Sequence, residues 1–331
     1  MDHKKEFSVP LLIITFKRKN TLKKVFDAIR KVKPKVIYIA NDGPNANDAN
    51  EKIKVYETRK LIKNSINWEC DLKFRFSEFN QGCKLGATNA INWFFENVNE
   101  GIILEDDTVP HKDFFWFAAE MLEKYRNDER VWSITGSNFQ EGHTRGDGTY
   151  YFSKYPSLWG WATWKRNWKK YDIEIDEWPT ICKREIINNF FCDPLERTYW
   201  KIIWDKLYYK GEPDTWCYQW TLYSLLNNGL NIYPNINLIS NVGFGVDSTH
   251  TNKKIAPASI CKELGKTVHP KYFFADNNAD QFQLNKHFKL GKYRVLGGQY
   301  VMQIKLKFLD QLILYLSKYK NHKKTESKIN L

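Results

Sequence analysis

The chain has 331 residues, 42% hydrophobic and 16% aromatic, with 13 tryptophans and a formal net charge of +13. That length can bury a sizeable core in one large α/β domain or two smaller ones, and the composition excludes a largely disordered chain. No run approaches the ~20 apolar residues of a membrane span, and the six cysteines (70, 83, 182, 192, 217 and 261) form no CxxC pair or metal-knuckle spacing. The opening "MDHKKEFSVP" lacks a signal-peptide apolar core, so a reducing, cytoplasmic setting is expected. The positive charge admits nucleic acid, an anionic membrane or a phosphorylated substrate as partner. No RNP, KH or helix-turn-helix pattern supports the first, so no nucleic-acid partner is expected.

In chain order, "SVPLLIITFKR" reads as a buried parallel strand. The helix "NTLKKVFDAIRKV" follows, with Asn20 or Thr21 as N-cap and Leu22, Val25, Phe26 and Ile29 on one face. A second strand, "KVIYIANDGP", completes a β-α-β unit. Such units imply a parallel sheet with ligands beyond its carboxyl strand ends. A helix around residues 46–62, a strand "LKFRFSE", a helix "LGATNAINWFFENV" and the strand "GIILEDD" continue the pattern. Asp42 and the run Glu105, Asp106, Asp107 thus both fall at carboxyl ends of strands. No GxGxxG or GxxxxGK[ST] occurs, which removes the best support for dinucleotide and P-loop readings.

After Pro110 come a helix "KDFFWFAAEMLEKYRND", a strand "VWSITGSN" and a Gly-rich loop from Gly142 to Gly148. "PSLWGWATWKRNWKKYD" follows, with Trp161, Trp164 and Trp168 at helical spacing. Next are a helix near 194–209, a helix ending at Asn227-Asn228-Gly229, a single strand "LNIYPNINLISN" and the loop "VGFGVDSTHTNKK". Near the C-terminus Leu306, Leu309, Leu312, Ile313 and Leu316 stand at helical spacing among Lys305, Lys307, Lys318 and Lys320. This is a basic amphipathic helix that either lies on a membrane or docks on the domain with solvated lysines.

Three adjacent carboxylates repel one another and are costly to bury without a counter-charge. A solvated acidic turn is the plain reading of such a triplet. The preceding apolar strand favours another, in which one carboxylate holds Mn²⁺ or Mg²⁺ whose remaining positions take diphosphate oxygens.

The pieces "LLIITFKR", "YIANDGP", "NQGCKLG", "GIILEDDTVPHKDFFWF", "YYFSKYPSLWGWATWKRNWKKYD", "TWCYQW" and "NGLNIYPNINLISNVGFGVDSTHT" together resemble a GT-A glycosyltransferase, in the bacterial branch similar to the N-acetylglucosaminyltransferase I family. The resemblance runs from about Pro10 to about Thr251. It implies a Rossmann-like α/β fold with a mixed, mostly parallel sheet flanked by helices. The glycosyltransferase domain would cover 1–255, with a nucleotide-binding half of about 1–110 and an acceptor half of about 111–255, and 256–331 would form a helical extension with a basic tail. EDD would be this family's version of the DxD motif, with Asp107 on the metal and Glu105 and Asp106 facing ribose and base. Thr15, Arg18 and Asp42 would lie beside the nucleotide, and the loop Gly243 to Lys254, with His250, would close over the donor diphosphate. The implied reaction is inverting transfer of a sugar from a nucleotide diphosphate donor, UDP by family preference, to an acceptor hydroxyl. A bacterial surface glycan or its lipid-linked precursor would suit a basic tail at the inner face of the cytoplasmic membrane.

The chain departs from the family where a catalytic base is expected. Related sequences carry Asp at the x of "TWxYQW", and this chain has Cys217. A thiol must first lose its own proton, at a pKa of about 8.5. Asp214, perhaps with Glu212, is the alternative base, although Asp214 is also placed to cap the helix that follows. Trp159 and Trp161 are expected to wall a sugar site, and Trp164 and Trp168 to belong to the core. Lys84 is read as a donor contact, Arg75 and Arg145 by default as solvated surface cations within reach of phosphate or sugar, and His111 as a neighbour of the carboxylates. Two rival functions stay open. A sugar nucleotidyltransferase would place carboxylates similarly, but "TFKRKNTLKK" lacks its glycine-rich signature; a non-catalytic nucleotide-sugar binder would account for Cys217.

Overall fold

A computed structural model describes residues 6–243 and 261–290. It divides the chain into two compact units, residues 1–171 with 220–280, and residues 172–219 with 281–331. The boundary expected at 255, His250 and the basic helix of 305–320 all lie outside the described residues.

The first unit opens as β1 (Leu11–Thr15), α1 (Lys19–Ile29), β2 (Val36–Asn41), α2 (Ala49–Ser65), β3 (Asp71–Phe76), α3 (Gly82–Asn97) and β4 (Glu100–Glu105). The run Leu11, Leu12, Ile13 is fully buried, as befits a parallel strand covered on both faces. Helix α1 buries Leu22, Val25, Phe26 and Ile29, the spacing read from sequence. Its N-cap is neither Asn20 nor Thr21 but Arg18, which makes no side-chain cap bond. Helix α2 begins three residues later than expected, at Ala49, because the Asp48 carboxylate accepts the Glu51 amide at 3.0 Å and fixes the start there.

The unit continues with β5 (Thr108–Pro110), α4 (Lys112–Lys124), β6 (Val131–Thr135), β7 (Tyr150–Ser153), β8 (Trp161–Trp164), α5 (Lys165–Trp168), β9 (Leu230–Pro234) and β10 (Ile239–Asn241). The main sheet has eight strands in the order β3-β2-β1-β4-β8-β6-β9-β7. β3, β2, β1 and β4 run parallel, and β8 and β7 enter antiparallel. It is the mixed α/β sheet flanked by helices that was expected.

Two elements differ from the sequence reading. "WATW" is strand β8, paired with both β4 and β6, so Trp161 and Trp164 point to opposite faces of the sheet rather than along one helical stripe. "LNIYPNINLISN" is two strands: β9 ends at Pro234 in the main sheet, and β10 pairs antiparallel with β5 in a second, two-stranded sheet. Pro234 lacks the amide that would prolong the ladder.

The second unit contains α6 (Trp178–Lys183), a 3-10 turn (Ile186–Asn189) and α7 (Pro194–Lys210). Its core is aromatic: Trp200 and Trp204 stack at 5.2 Å, and Trp178 donates Nε1 to the buried Asp205 at 2.9 Å. Helix α7 is capped by Asp193 and stops at Gly211, whose φ of 69° suits a left-handed cap. Helices α8 (Cys217–Leu226) and α9 (Asn277–Lys286) complete the described elements. Among the described residues no helix is long and apolar enough to cross a membrane. Among the described residues none of the six cysteines forms a disulfide.

Candidate active site

The pairing register puts the carboxyl ends of three strands side by side. Thr15 of β1 is opposite Asn41 of β2, and Ile14 is opposite Glu105 of β4. Adjacent strands lie only ~4.8 Å apart. The segment Phe16 to Arg18, the Asp42 turn and the carboxylate run therefore emerge together on one edge.

A tight turn sets the carboxylates. The Glu105 amide donates to the Thr108 hydroxyl at 2.8 Å, and that hydroxyl, fully buried, lies 3.1 Å from the Glu105 carbonyl. Asp106 and Asp107 form the turn between and are 2% and 6% exposed. Asp106 accepts the Phe16 amide at 3.0 Å. Arg18 bridges the pair, with Nη2 2.5 Å from Asp106 Oδ1 and Nη1 2.6 Å from Asp107 Oδ2. This explains the uncapped α1: the side chain at the N-cap position turns to the carboxylates instead.

The electrostatics follow from burial. Loss of water, reinforced by the charge on Asp107, pushes Glu105 up to about 8 despite attraction to Arg18. Burial likewise lifts Asp106 to about 6, against the opposing pull of Arg18 and the Phe16 amide. For Arg18 burial opposes the charged form, but attraction to Asp106, then Asp107, outweighs it and raises the guanidinium above its ordinary value.

Asp107 Oδ1 is buried without a hydrogen-bond partner among the described residues. A carboxylate oxygen left bare in this way fits a divalent cation, which takes oxygen ligands and needs no proton. Among the described residues no group of three or more His, Cys, Asp or Glu side chains converges on one point. The fit is thus to a cation held by one or two protein carboxylates and completed by its substrate, with Asp107 as the ligand.

The second sheet brings another wall. β10 pairs Asn241 with Thr108, and the Val242 amide donates to the Asp107 carbonyl at 2.9 Å. Gly243 follows directly. A Cβ there would stand 1.9 Å from Asp107 Oδ2 and 2.9 Å from Arg18 Nη1, so any larger residue would push the ion pair aside. The sequence placed Gly243 at the start of a loop expected to close over the donor; in the structure it makes a close approach to the carboxylate.

The other predicted residues scatter. Thr15 is 3% exposed, and its hydroxyl donates to the Ala40 carbonyl and accepts from Asn41, which commits it to the sheet. Asp42 accepts the amides of Gly43 at 2.8 Å and Gln81 at 3.0 Å, which ties it to the start of α3; burial raises its pKa in spite of those bonds. Lys84 stands in the first turn of α3 and is half-buried. Trp159 is half-buried and meets Phe139 edge-on at 5.3 Å.

Trp161, expected in a sugar wall, is 0% exposed and packs 5.4 Å from Trp220. Its strand setting makes it core. His111 is the N-cap residue of α4 and faces Asp113, and Arg145 bonds Gln140 at 2.8 Å. Asp214 is not the N-cap, since α8 starts at Cys217. The nearer hydroxyl of Thr215 takes the Cys217 amide at 3.4 Å and lies 2.8 Å from its Sγ. Asp214 and Cys217 belong to the second unit.

Sequence reasoning missed Thr108, the Phe16 amide and the β5–β10 pairing. The first was legible as a hydroxyl three residues after Glu105; the others depend on contacts between distant segments.

No protein-family model matches the chain. No curated protein sequence matches it. Solved structures similar to it include HddC from Yersinia pseudotuberculosis, at 13% identity and TM-score 0.31 over 52% of this chain and 85% of that one. The mannosyltransferase PcManGT from Pyrobaculum calidifontis, in complex with GDP-Man and Mn²⁺, is 11% identical at TM-score 0.33 over 52% of this chain and 49% of that one. An apo UDP-glucose pyrophosphorylase is 9% identical at TM-score 0.36 over 70% of this chain and 93% of that one. At these identities and scores none of them transfers a substrate or an activity to this chain.

Proposed function

We propose that the chain is a metal-dependent glycosyltransferase that moves a sugar from a nucleotide diphosphate sugar, with UDP as the favoured nucleotide, to an acceptor hydroxyl with inversion. The observation that carries the reading is the bare, buried Oδ1 of Asp107 at the carboxyl end of β4. Glu105 and Asp106 beside it, and Asp42 at the neighbouring strand end, are assigned to ribose and base. Arg18 and Lys84 are assigned to phosphate, and His250 to the diphosphate. Trp159 is kept as a sugar contact; Trp161 is not.

Mn²⁺ or Mg²⁺ on Asp107 would supply charge stabilisation for the departing diphosphate. The acceptor oxygen forms the new bond to the anomeric carbon as the bond from that carbon to phosphate oxygen breaks, and the hydroxyl proton passes to a base. Asp214 is proposed as that base, because Cys217 stands where the family carries its carboxylate. The acceptor is assigned to a glycan or lipid-linked glycan, with the basic segment 305–320 resting on the anionic inner face of the cytoplasmic membrane.

The experiment is a panel of nucleotide sugars with Mn²⁺, read by released nucleoside diphosphate, on the wild type, Asp214→Asn and Cys217→Asp. Loss of transfer in Asp214→Asn and gain in Cys217→Asp support the assignment. Full activity of Asp214→Asn removes Asp214 as the base.

A further inference from the structure

Arg18 holds Asp107, the carboxylate that the proposed site offers to a cation, together with its neighbour Asp106. We propose that this arginine is a built-in counter-ion that keeps a free divalent cation off Asp107 and admits one only in company with a nucleoside diphosphate. The inference rests on the metal site proposed at Asp107.

Three features support it. One guanidinium reaches two carboxylates at 2.5 and 2.6 Å, so a positive charge already occupies the place where a cation gains most. Asp107 Oδ1 stays bare, so a ligand atom remains, but on a carboxylate whose charge is matched from its other oxygen. Gly243 passes beside the pair: a Cβ there would stand 1.9 Å from Asp107 Oδ2 and 2.9 Å from Arg18 Nη1, so its backbone lines the side on which the two groups meet.

Two effects of Arg18 on a metal at Asp107 oppose each other. A hydrogen-bond partner that orients a ligating carboxylate normally helps metal binding, and losing one costs ~10–100-fold. A guanidinium and a dication sharing one carboxylate repel each other, and at an effective dielectric of ~20 that repulsion exceeds the orienting gain. A diphosphate changes the balance because its oxygens pair with both cations at once. Entry of metal and diphosphate is therefore coupled through Arg18.

The test uses the full-length, metal-stripped protein titrated with MnCl₂ and followed by electron paramagnetic resonance, with and without UDP or GDP. Arg18→Met is expected to bind Mn²⁺ alone at least about tenfold more tightly than the wild type. The diphosphate should raise Mn²⁺ affinity more in the wild type than in that variant. Should Arg18→Met not fold, Arg18→Lys, which keeps one charge but cannot bridge two carboxylates, carries the comparison and is expected to bind Mn²⁺ alone more tightly than the wild type. Equal or weaker binding by the folded variant overturns the proposal. If wild type binds Mn²⁺ with a diphosphate but the variants bind it alone no better, the counter-ion role fails and the metal site stands. If no form binds Mn²⁺ even with a diphosphate, the metal site fails and the counter-ion role with it.

Discussion

Arg18 occupies the N-cap position of α1, yet its side chain turns away to neutralise Asp106 and Asp107. From sequence the three carboxylates needed a counter-charge, and a metal was the only one in view; the arginine lay 88 positions before Asp106 and became legible as its partner only once β1 and β4 were adjacent. The acid run itself was readable, because an apolar strand led straight into it. Gly243→Ala would place a methyl 1.9 Å from Asp107 Oδ2, so donor turnover should fall at least about tenfold while far-ultraviolet circular dichroism is unchanged. Stability should also depend on pH through the buried acids. Glu105 rises from its ordinary 4.5 to about 8 in the folded chain, which then holds a proton that the unfolded chain has released. Its contribution is complete below pH 4.5 and is lost as the pH climbs toward 8, and Asp106, lifted from 3.8 to about 6, acts with the same sign. Without metal, the Tm of Glu105→Gln should therefore fall less than that of wild type between pH 5 and 8. A pH-independent difference between the two contradicts the assignment.

Elements with their own periodicity were legible: β1, α1, β2, β3, α3 and β4 stand close to where the apolar pattern placed them. Those decided by tertiary pairing were not. The spacing of Trp161, Trp164 and Trp168 fits a helix, but the open edges of β4 and β6 capture the first two in a strand. The three-residue β5 and β10 are too short to carry a pattern, and they exist because they pair with each other. Gly160 is where these elements meet: its φ is 62°, and a Cβ would press on Ile239 of β10 at 2.4 Å and approach Leu104 of β4 at 3.4 Å. Gly160→Ala combines a left-handed backbone with overpacking and should cost roughly 2 kcal/mol or more, read as a fall in the urea midpoint. Asp48→Ala removes only a cap and should cost about 1 kcal/mol with donor turnover retained.

For the whole molecule, the net charge of +13 suits the proposed diphosphate donor and the proposed docking on an anionic surface. Binding to vesicles rich in phosphatidylglycerol should weaken as salt rises and should be lost when residues 305–331 are deleted; salt-independent binding contradicts the surface role. Sequence carried the fold class because β-α-β alternation is written in hydrophobicity. It carried the position of the candidate site because carboxyl strand ends can be read from the same pattern. It did not carry the division into two discontinuous units, which depends on contacts between segments far apart in the chain. The most direct measurement is the release of nucleoside diphosphate from a panel of nucleotide sugars, with Mn²⁺ and with chelator, by the wild type and Asp107→Asn. At least one donor should give metal-dependent release that Asp107→Asn lowers by about 100-fold or more. No release from any donor, or release indifferent to both chelator and Asp107→Asn, would contradict the account.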